Sequence, residues 1–344
     1  MAIQQMFLGA GGVALYEGYL ALGHSTTPHI TVYPWSSGFG TQVADPSTIP
    51  TSTGYLLTFS PDGADLAIAH GASPYISVYP WSSGFGTKYA NPSTLPPDNA
   101  YSVAFSPDGA DIALAHRDSP YVSAYPWSSG FGTKYANPST LPAGTSRGVA
   151  FSPDGADIAV ADDHTQGITA YPWTSGTGFG TKYSDPSTLP TGTAYSVAFS
   201  PDGADIAVAH TTSPSITVYP WSSGFGTKYA DPSTLPAGND SRSVIFSPDG
   251  ADMAIAHASS PYVSVYQWSS GFGTKYADPS TLPTGPGKGV AFSPDGTLLA
   301  VAYSTNSPYI NVYDWTSGTG FGTKYANPST VPVGVVRGVA FSPA

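Results

Sequence analysis

Hydrophobic and polar positions along the chain repeat one pattern every 46 to 48 residues, each copy marked by a tryptophan: Trp35, Trp81, Trp127, Trp173, Trp221, Trp268 and Trp315. In the copy around Trp127, Val103-Ala104-Phe105 reads as a first short strand, closed by the Ser106-Pro107-Asp108-Gly109 turn. Ile112-Ala113-Leu114-Ala115 follows as an unbroken run of apolar and small residues, which suits a strand buried on both faces. Tyr121–Tyr125 is a third strand. A Ser-Ser-Gly-Phe-Gly turn then leads to a fourth, Thr133–Ala136. Short strands at even spacing with Gly and Pro between them predict an all-β ring or sandwich. No segment shows the 3.6-residue period of a helix, which excludes coiled coils and helical solenoids.

A unit of about 47 residues buries too little to stand alone, so it must stack on its neighbours. Seven such units predict a seven-bladed β-propeller of four-stranded antiparallel blades. The termini suggest how the ring closes. Arg337–Pro343 is a first strand with no second strand after it, whereas Leu20–His24 is a second strand with a poor first strand before it. The C-terminal strand is therefore expected to complete the N-terminal blade and remove the open edge. Gly12–Leu15 is a degenerate eighth copy of the first strand that cannot share that slot. On this reading residues 1–16 form a leader that packs or mediates assembly, and residues 17–344 form the propeller.

Composition narrows the function classes. The net charge is −11, and Glu17 is the only Glu. So acidic a chain without a Lys/Arg run disfavours nucleic acid as a partner. There is no Cys, hence no disulfide or thiolate metal site. The Met1–Gly9 start lacks the basic region of a secretory signal, and no apolar run is long enough to insert in a membrane.

The repeat supplies several candidate chemistries. His24, His70, His116, His210 and His257 close the second strand in five copies, with Asp162 and Tyr303 in the other two. Equivalent positions on neighbouring blades should stand about 10 Å apart, too far to share an ion, so each His is expected to hydrogen-bond a nearby loop instead. The Asp62/Asp65 and Asp108/Asp111 pairs offer calcium too few oxygens and read as turn formers. No cofactor or metal is expected. The seven tryptophans could stack on sugar rings, or each could pack across its hairpin on the next aromatic, as Trp127 on Phe131. Lys88, Lys134, Lys182, Lys228, Lys275 and Lys324 lie on the outermost strand, where lysine deters edge pairing.

The positions where uniform repeats differ carry the most information. Tyr55, Tyr101, Arg147, Tyr195, Arg242, Lys288 and Arg337 stand just before the innermost strands and should ring one mouth of the central channel. Such a rim suits an anionic or sugar-like ligand, or a partner protein. In the fourth copy Asp163 and His164 replace the Ser-Pro-Tyr loop and could form an acid–base pair, although no nucleophile motif accompanies them.

Ser102–Gly109, the Ile112–Ala115 strand and Val122–Tyr125 together resemble the first three strands of a WD40 blade. The Trp-Asp dipeptide is replaced by Tyr125-Pro126-Trp127 and the Gly-His is missing, so the WD40 hydrogen-bond network does not carry over. The leader Met1–Gly12, with Ser73–Tyr79, Asn91–Pro96 and Val103–Gly109, is similar to propeller proteins of tailed bacteriophages and prophages. That resemblance implies a non-catalytic virion structural or interaction protein, tail- or adhesion-associated. It would be made in the host cytoplasm and located in the virion. Its partners would be other virion proteins, met through the N-terminal segment or a propeller face, or a host-surface glycan. A lectin-like carbohydrate-binding propeller is the alternative. An enzyme such as a lactonase-like hydrolase ranks last, because the blades are nearly uniform and carry one Glu and no Cys.

Overall fold

The computed structural model describes residues 16–343, so all of the leader but Tyr16, including the Gly12–Leu15 copy, lies outside the described residues. The chain forms seven antiparallel sheets of three or four strands, one per repeat, arranged as the blades of a propeller. Blade one is composite. Its outer strands Gly18–His24 and Ile30–Trp35 are joined by the C-terminal strand Val336–Phe341, with Leu20 opposite Phe341 and Leu22 opposite Val339. The C-terminal copy of the first strand thus closes the ring.

The alternation inside the second strand explains how the blades stack. In Asp111–His116 every residue is buried. Ile112 and Leu114 point toward blade two, where they meet Ala67, Ala69, Ile76 and Val78. Ala113 and Ala115 point the other way and receive Ile158 and Val160 of blade four. Large side chains therefore face one neighbour and small ones the other, so identical units interdigitate without a gap. The core is not central; it is seven separate clusters, one at each blade junction, including the junction of blade seven with blade one.

Two sets of polar contacts pin these junctions. A buried third-strand tyrosine donates its hydroxyl to a threonine carbonyl in the Pro-Ser-Thr-x-Pro segment arriving from the preceding blade, as Tyr125 to Thr94 at 2.8 Å and Tyr33 to Thr330 at 2.6 Å across the ring seam. The second set uses the Asp that opens the second strand. Asp65 accepts from Tyr89 of its own blade at 2.9 Å and from the indole N–H of Trp127 in the next blade at 2.9 Å. Asp111, Asp157, Asp205 and Asp252 repeat this with Trp173, Trp221, Trp268 and Trp315. Each carboxylate replaces its lost hydration with two donors, the condition under which a buried charge is tolerated. The two junctions of blade one lack the carboxylate. Tyr19 and Leu298 occupy the position, and the Trp81 indole nitrogen is buried without a partner.

Fourth strands are less regular than the repeat suggests. They are four and five residues long in blades six and seven, Phe272–Lys275 and Gly320–Lys324, and two residues in blade four, Gly178–Phe179. Elsewhere a bridge such as Trp127 to Phe131 is all that remains. The cause is proline. Pro34, Pro80, Pro126, Pro172 and Pro220 stand at or near the end of the neighbouring third strand and have no N–H to give the ladder. Blades six and seven carry Gln267 and Asp314 there, and their fourth strands are the longest.

Candidate functional site

The first strand of each blade lines the central channel, and its second residue stands at one end of it. In this way Tyr55, Tyr101, Arg147, Tyr195, Arg242, Lys288 and Arg337, one from each blade, surround a single cavity of about 220 Å³ together with Leu56. Below this cup the strands crowd. A Cβ on Gly338 would lie 2.4 Å from the Tyr55 carbonyl oxygen, and one on Gly148 would lie 3.1 Å from the Cα of Ser196. Glycine in these first strands lets neighbouring backbones approach and fixes the position of the side chains above.

The ring is held by stacked charge and aromatic faces. The Arg147 guanidinium lies 5.2 Å from the Tyr101 ring centre and 5.0 Å from that of Tyr195; Arg242 lies 3.9 Å over Tyr195, and Arg337 lies 5.4 Å over Tyr55. Tyr55 and Tyr101 meet edge to face at 5.0 Å. Cation–π contacts of this kind hold flexible arginines in one orientation. Arg147 is paired with Asp163 at 3.3 Å and Arg242 with Asp240 at 2.5 Å. Among the described residues no carboxylate pairs with Lys288 or Arg337. The Nε–H groups of Arg147, Arg242 and Arg337 are buried and unpartnered. One arc of the mouth (Arg242, Lys288, Arg337) is thus cationic, and the adjoining arc (Tyr55, Leu56, Tyr101) is aromatic and aliphatic. Burial, reinforced by Arg242 and Arg337, pushes the Lys288 ammonium below its ordinary pKa.

The opposite face of the disc is acidic. Between blades two and three a groove of about 490 Å³ is lined by Asp62, Asp65, Asp108, Tyr89 and Trp127 among others. Its carboxylates are engaged in structure: Asp62 accepts from Ser60 at 2.6 Å and from the Ala64 N–H at 3.0 Å, and Asp65 holds the junction. The bonds from Ser60 and Ala64 hold the Asp62 carboxyl below its ordinary pKa.

Several sequence candidates are placed differently from expectation. Trp35, Trp81, Trp127, Trp173, Trp221, Trp268 and Trp315 are only 3–6% exposed, each meeting a Phe and a Tyr ring edge to face, as Trp127 meets Phe131 and Tyr89. No indole face is open to stack on a sugar, which corrects that reading in favour of packing. Asp163 and His164 do not pair with each other. Asp163 holds Arg147, while His164 Nδ1 lies 3.0 Å from Gln166 Oε1 and from Thr165 Oγ1. The five second-strand histidines are fully buried, and Nδ1 of His70, His116 and His210 meets the adjoining loops at Thr51, Asp118 and Thr211 as expected. Each Nε2 also reaches the third strand of its own blade, for example His116 to Ser123 at 3.0 Å and His210 to Thr217 at 2.9 Å. Lys88, Lys134, Lys182, Lys228, Lys275 and Lys324 each hydrogen-bond the Asn or Asp three residues on.

Sequence reasoning passed over Leu56 and Asp240. Leu56 is 38% exposed inside the mouth, where the other blades carry Ser102, Gly148, Ser196, Ser243, Gly289 or Gly338. Asp240 anchors Arg242 from a position that is Thr, Asn, Pro or Val elsewhere. Both break the repeat, which is the signal that would have found them.

No protein-family model and no curated protein sequence matches the chain. Solved structures do. A candidate 6-phosphogluconolactonase from Bacteroides uniformis is 18% identical with a TM-score of 0.72, over 94% of this chain and 99% of that one. A second, from Bacteroides fragilis, is 16% identical with a TM-score of 0.75, over 94% and 98%. The periplasmic gluconolactonase of Pseudomonas aeruginosa is 18% identical with a TM-score of 0.70, over 95% and 99%. These bacterial proteins are lactonases by description, and nothing among them belongs to a virion. The expectation of a non-catalytic phage tail or adhesion protein located in the virion, with a lectin-like binder as alternative, is corrected on this finding, as is the expectation that no enzyme is involved. At these identities the likeness establishes the fold: the chain is a seven-bladed β-propeller closed by its C-terminal strand.

Proposed function

We propose that the protein hydrolyses a small lactone, the internal ester of a polyhydroxylated acid, at the cationic mouth of its channel. The observation that carries this reading is the arc of Arg242, Lys288 and Arg337 within the 220 Å³ cavity, two of its three cations without a carboxylate partner among the described residues. Attack of water on a lactone places negative charge on the carbonyl oxygen, and opening the ring leaves a carboxylate. Cations fixed in advance where that charge appears stabilise the transition state more than the neutral ester. The aromatic arc of Tyr55, Leu56 and Tyr101 offers a surface for the C–H face of the ring. The cup is smaller than the roughly 300–1,000 Å³ of sites for drug-sized ligands, which suits a monosaccharide-sized substrate. The names of the structural neighbours point to the same reaction class.

The test is lactone hydrolysis followed by acid release, using gluconolactone and its 6-phosphate against the spontaneous rate. Wild type should accelerate at least one of them. Arg337→Ala should lower kcat/KM by about 100-fold or more, the range for losing a group that stabilises an oxyanion. Arg117→Ala, at a 51%-exposed side chain outside the mouth, should leave the rate unchanged. Hydrolysis at the spontaneous rate for both lactones, or full activity in Arg337→Ala, would sink the reading.

A further inference from the structure

We infer that Lys288 is the general base of this hydrolysis, accepting the proton of the attacking water; the inference rests on the hydrolase reading above. Hydrolysis needs a group that can take a proton beside the reacting carbonyl. The residues lining the mouth include no Asp, Glu or His: they are Tyr55, Leu56, Tyr101, Arg147, Tyr195, Arg242, Lys288 and Arg337. Arginine stays protonated in proteins. Asp163 pairs with Arg147, and Asp240 pairs with Arg242 through Oδ2 while its Oδ1 is buried without a partner, but neither carboxylate lines the cup. Among the tyrosines, Arg337 stacks over Tyr55 and both Arg147 and Arg242 stack over Tyr195. Burial holds the Tyr55 phenol in its acid form.

Lys288 differs in setting from every other lysine. It stands on the innermost strand Gly287–Phe292, with Arg242 on the blade before it and Arg337 on the blade after. Its own strand is clamped close to its neighbours. A Cβ on Gly287 would lie 2.3 Å from the Tyr262 carbonyl oxygen, and one on Gly289 would lie 3.1 Å from that of Arg337. The strand backbone is thus fixed, and the Lys288 side chain lines the mouth in a partly buried site that feels the positive charges of Arg242 and Arg337. Burial and both arginines favour the free amine, while Asp240 alone favours the ammonium. Tyr55, Tyr101, Tyr195 and Arg147 complete the groups around the cup.

The step balances without any co-reactant but water. The neutral Lys288 Nζ takes one proton from water as the water oxygen bonds to the lactone carbonyl carbon. The carbonyl oxygen becomes an oxyanion facing Arg242 and Arg337. Collapse of that intermediate breaks the ring C–O bond, and the departing ring oxygen takes the proton back from Lys288. The product acid ionises, releasing one proton to solvent, and the amine is free again.

The experiment compares kcat and KM across pH for the full chain, Lys288→Ala and Lys288→Arg, with thermal melts confirming that each is folded. Both variants should lose about 100- to 10,000-fold in kcat with KM changed only a few-fold. The acid-side limb of the wild-type kcat profile, where the rate rises as the amine loses its proton, should have its midpoint below the ordinary lysine value of about 10.4 and vanish in both. Added ethylamine should restore part of the Lys288→Ala rate, rising with free amine; a lysine that merely shaped the site would not be rescued in this way. Retention of kcat within threefold by Lys288→Ala, or a profile that keeps its limb, would overturn the base while leaving hydrolysis at the mouth intact. No hydrolysis of any lactone by wild type would overturn both.

Discussion

Removing residues 337–344 should lower the melting temperature by at least about 10 °C or abolish a cooperative transition, because the deletion takes out almost all of the innermost strand of blade one. Leu20 and Leu22, fully buried in the intact ring, would lose Phe341 and Val339. Tyr16 would lose its edge-to-face contact with Phe341 at 5.3 Å and its 2.8 Å bond to the Ser342 carbonyl. Uncovering Leu20 and Leu22 costs up to about 1.5–3 kcal/mol each, before any ladder bond is counted. For a domain of 150–250 residues each kcal/mol is worth about 2–4 °C, and a longer chain shifts somewhat less. Blade one would keep only two regular strands, a marginal sheet. It is also the blade with the weakest lateral ties, since both of its junctions lack the Asp–Trp bond. An unchanged melting temperature would mean that another segment, such as Gly12–Leu15, can close the ring.

Acid should destabilise the ring steeply. Burial pushes His24, His70, His116 and His257 down to about 4, and lowers His210 in the same direction. The folded state therefore refuses protons that the unfolded chain accepts below the ordinary value of about 6.5. The stability these residues allow is complete above pH 7, falls as pH drops through 6.5, and stops falling near 4, where the native imidazoles titrate too. Each of the four can cost up to about 3 kcal/mol over that span, at 1.36 kcal/mol per pH unit. Together they can match the 5–15 kcal/mol that holds a typical domain folded. Asp162 works against the trend: burial raises its pKa, so acid relieves a cost in blade four. Thermal melts from pH 8 to 4.5 should be level at first and then drop by tens of degrees. A level profile down to pH 4.5 would show that these histidines accept a proton without loss.

Most of the architecture was legible because the repeat displays it. Ile112-Ala113-Leu114-Ala115 announces burial on both faces, and the unmatched Arg337–Pro343 strand announces how the ring closes. The rim was legible for the opposite reason, since residues that differ among uniform copies have no common packing task. The bond from Trp127 to Asp65 was not legible. Its partners are 62 positions apart, and an Asp after Asp-Gly-Ala looks like part of a turn. The tryptophans were ambiguous because an indole that packs and one that binds look the same until its neighbours are known. Fourth strands were over-read because the lost N–H of Pro126 acts on the strand beside it rather than on its own. Resemblance of the leader and repeat to phage propellers misled on function, since tandem copies of one blade say how a ring is built and little about what its mouth binds.

The proposed hydrolysis belongs at the cationic mouth and not in the acidic grooves between blades. A crystal structure of the protein soaked with gluconate, the product acid, tests it most directly. The carboxylate is expected within hydrogen-bond reach of Arg242, Lys288 and Arg337, with the polyol chain against Tyr55 and Tyr101. Gluconate found only in the grooves beside Asp62, Asp108 and Trp127, with the mouth empty, would contradict it.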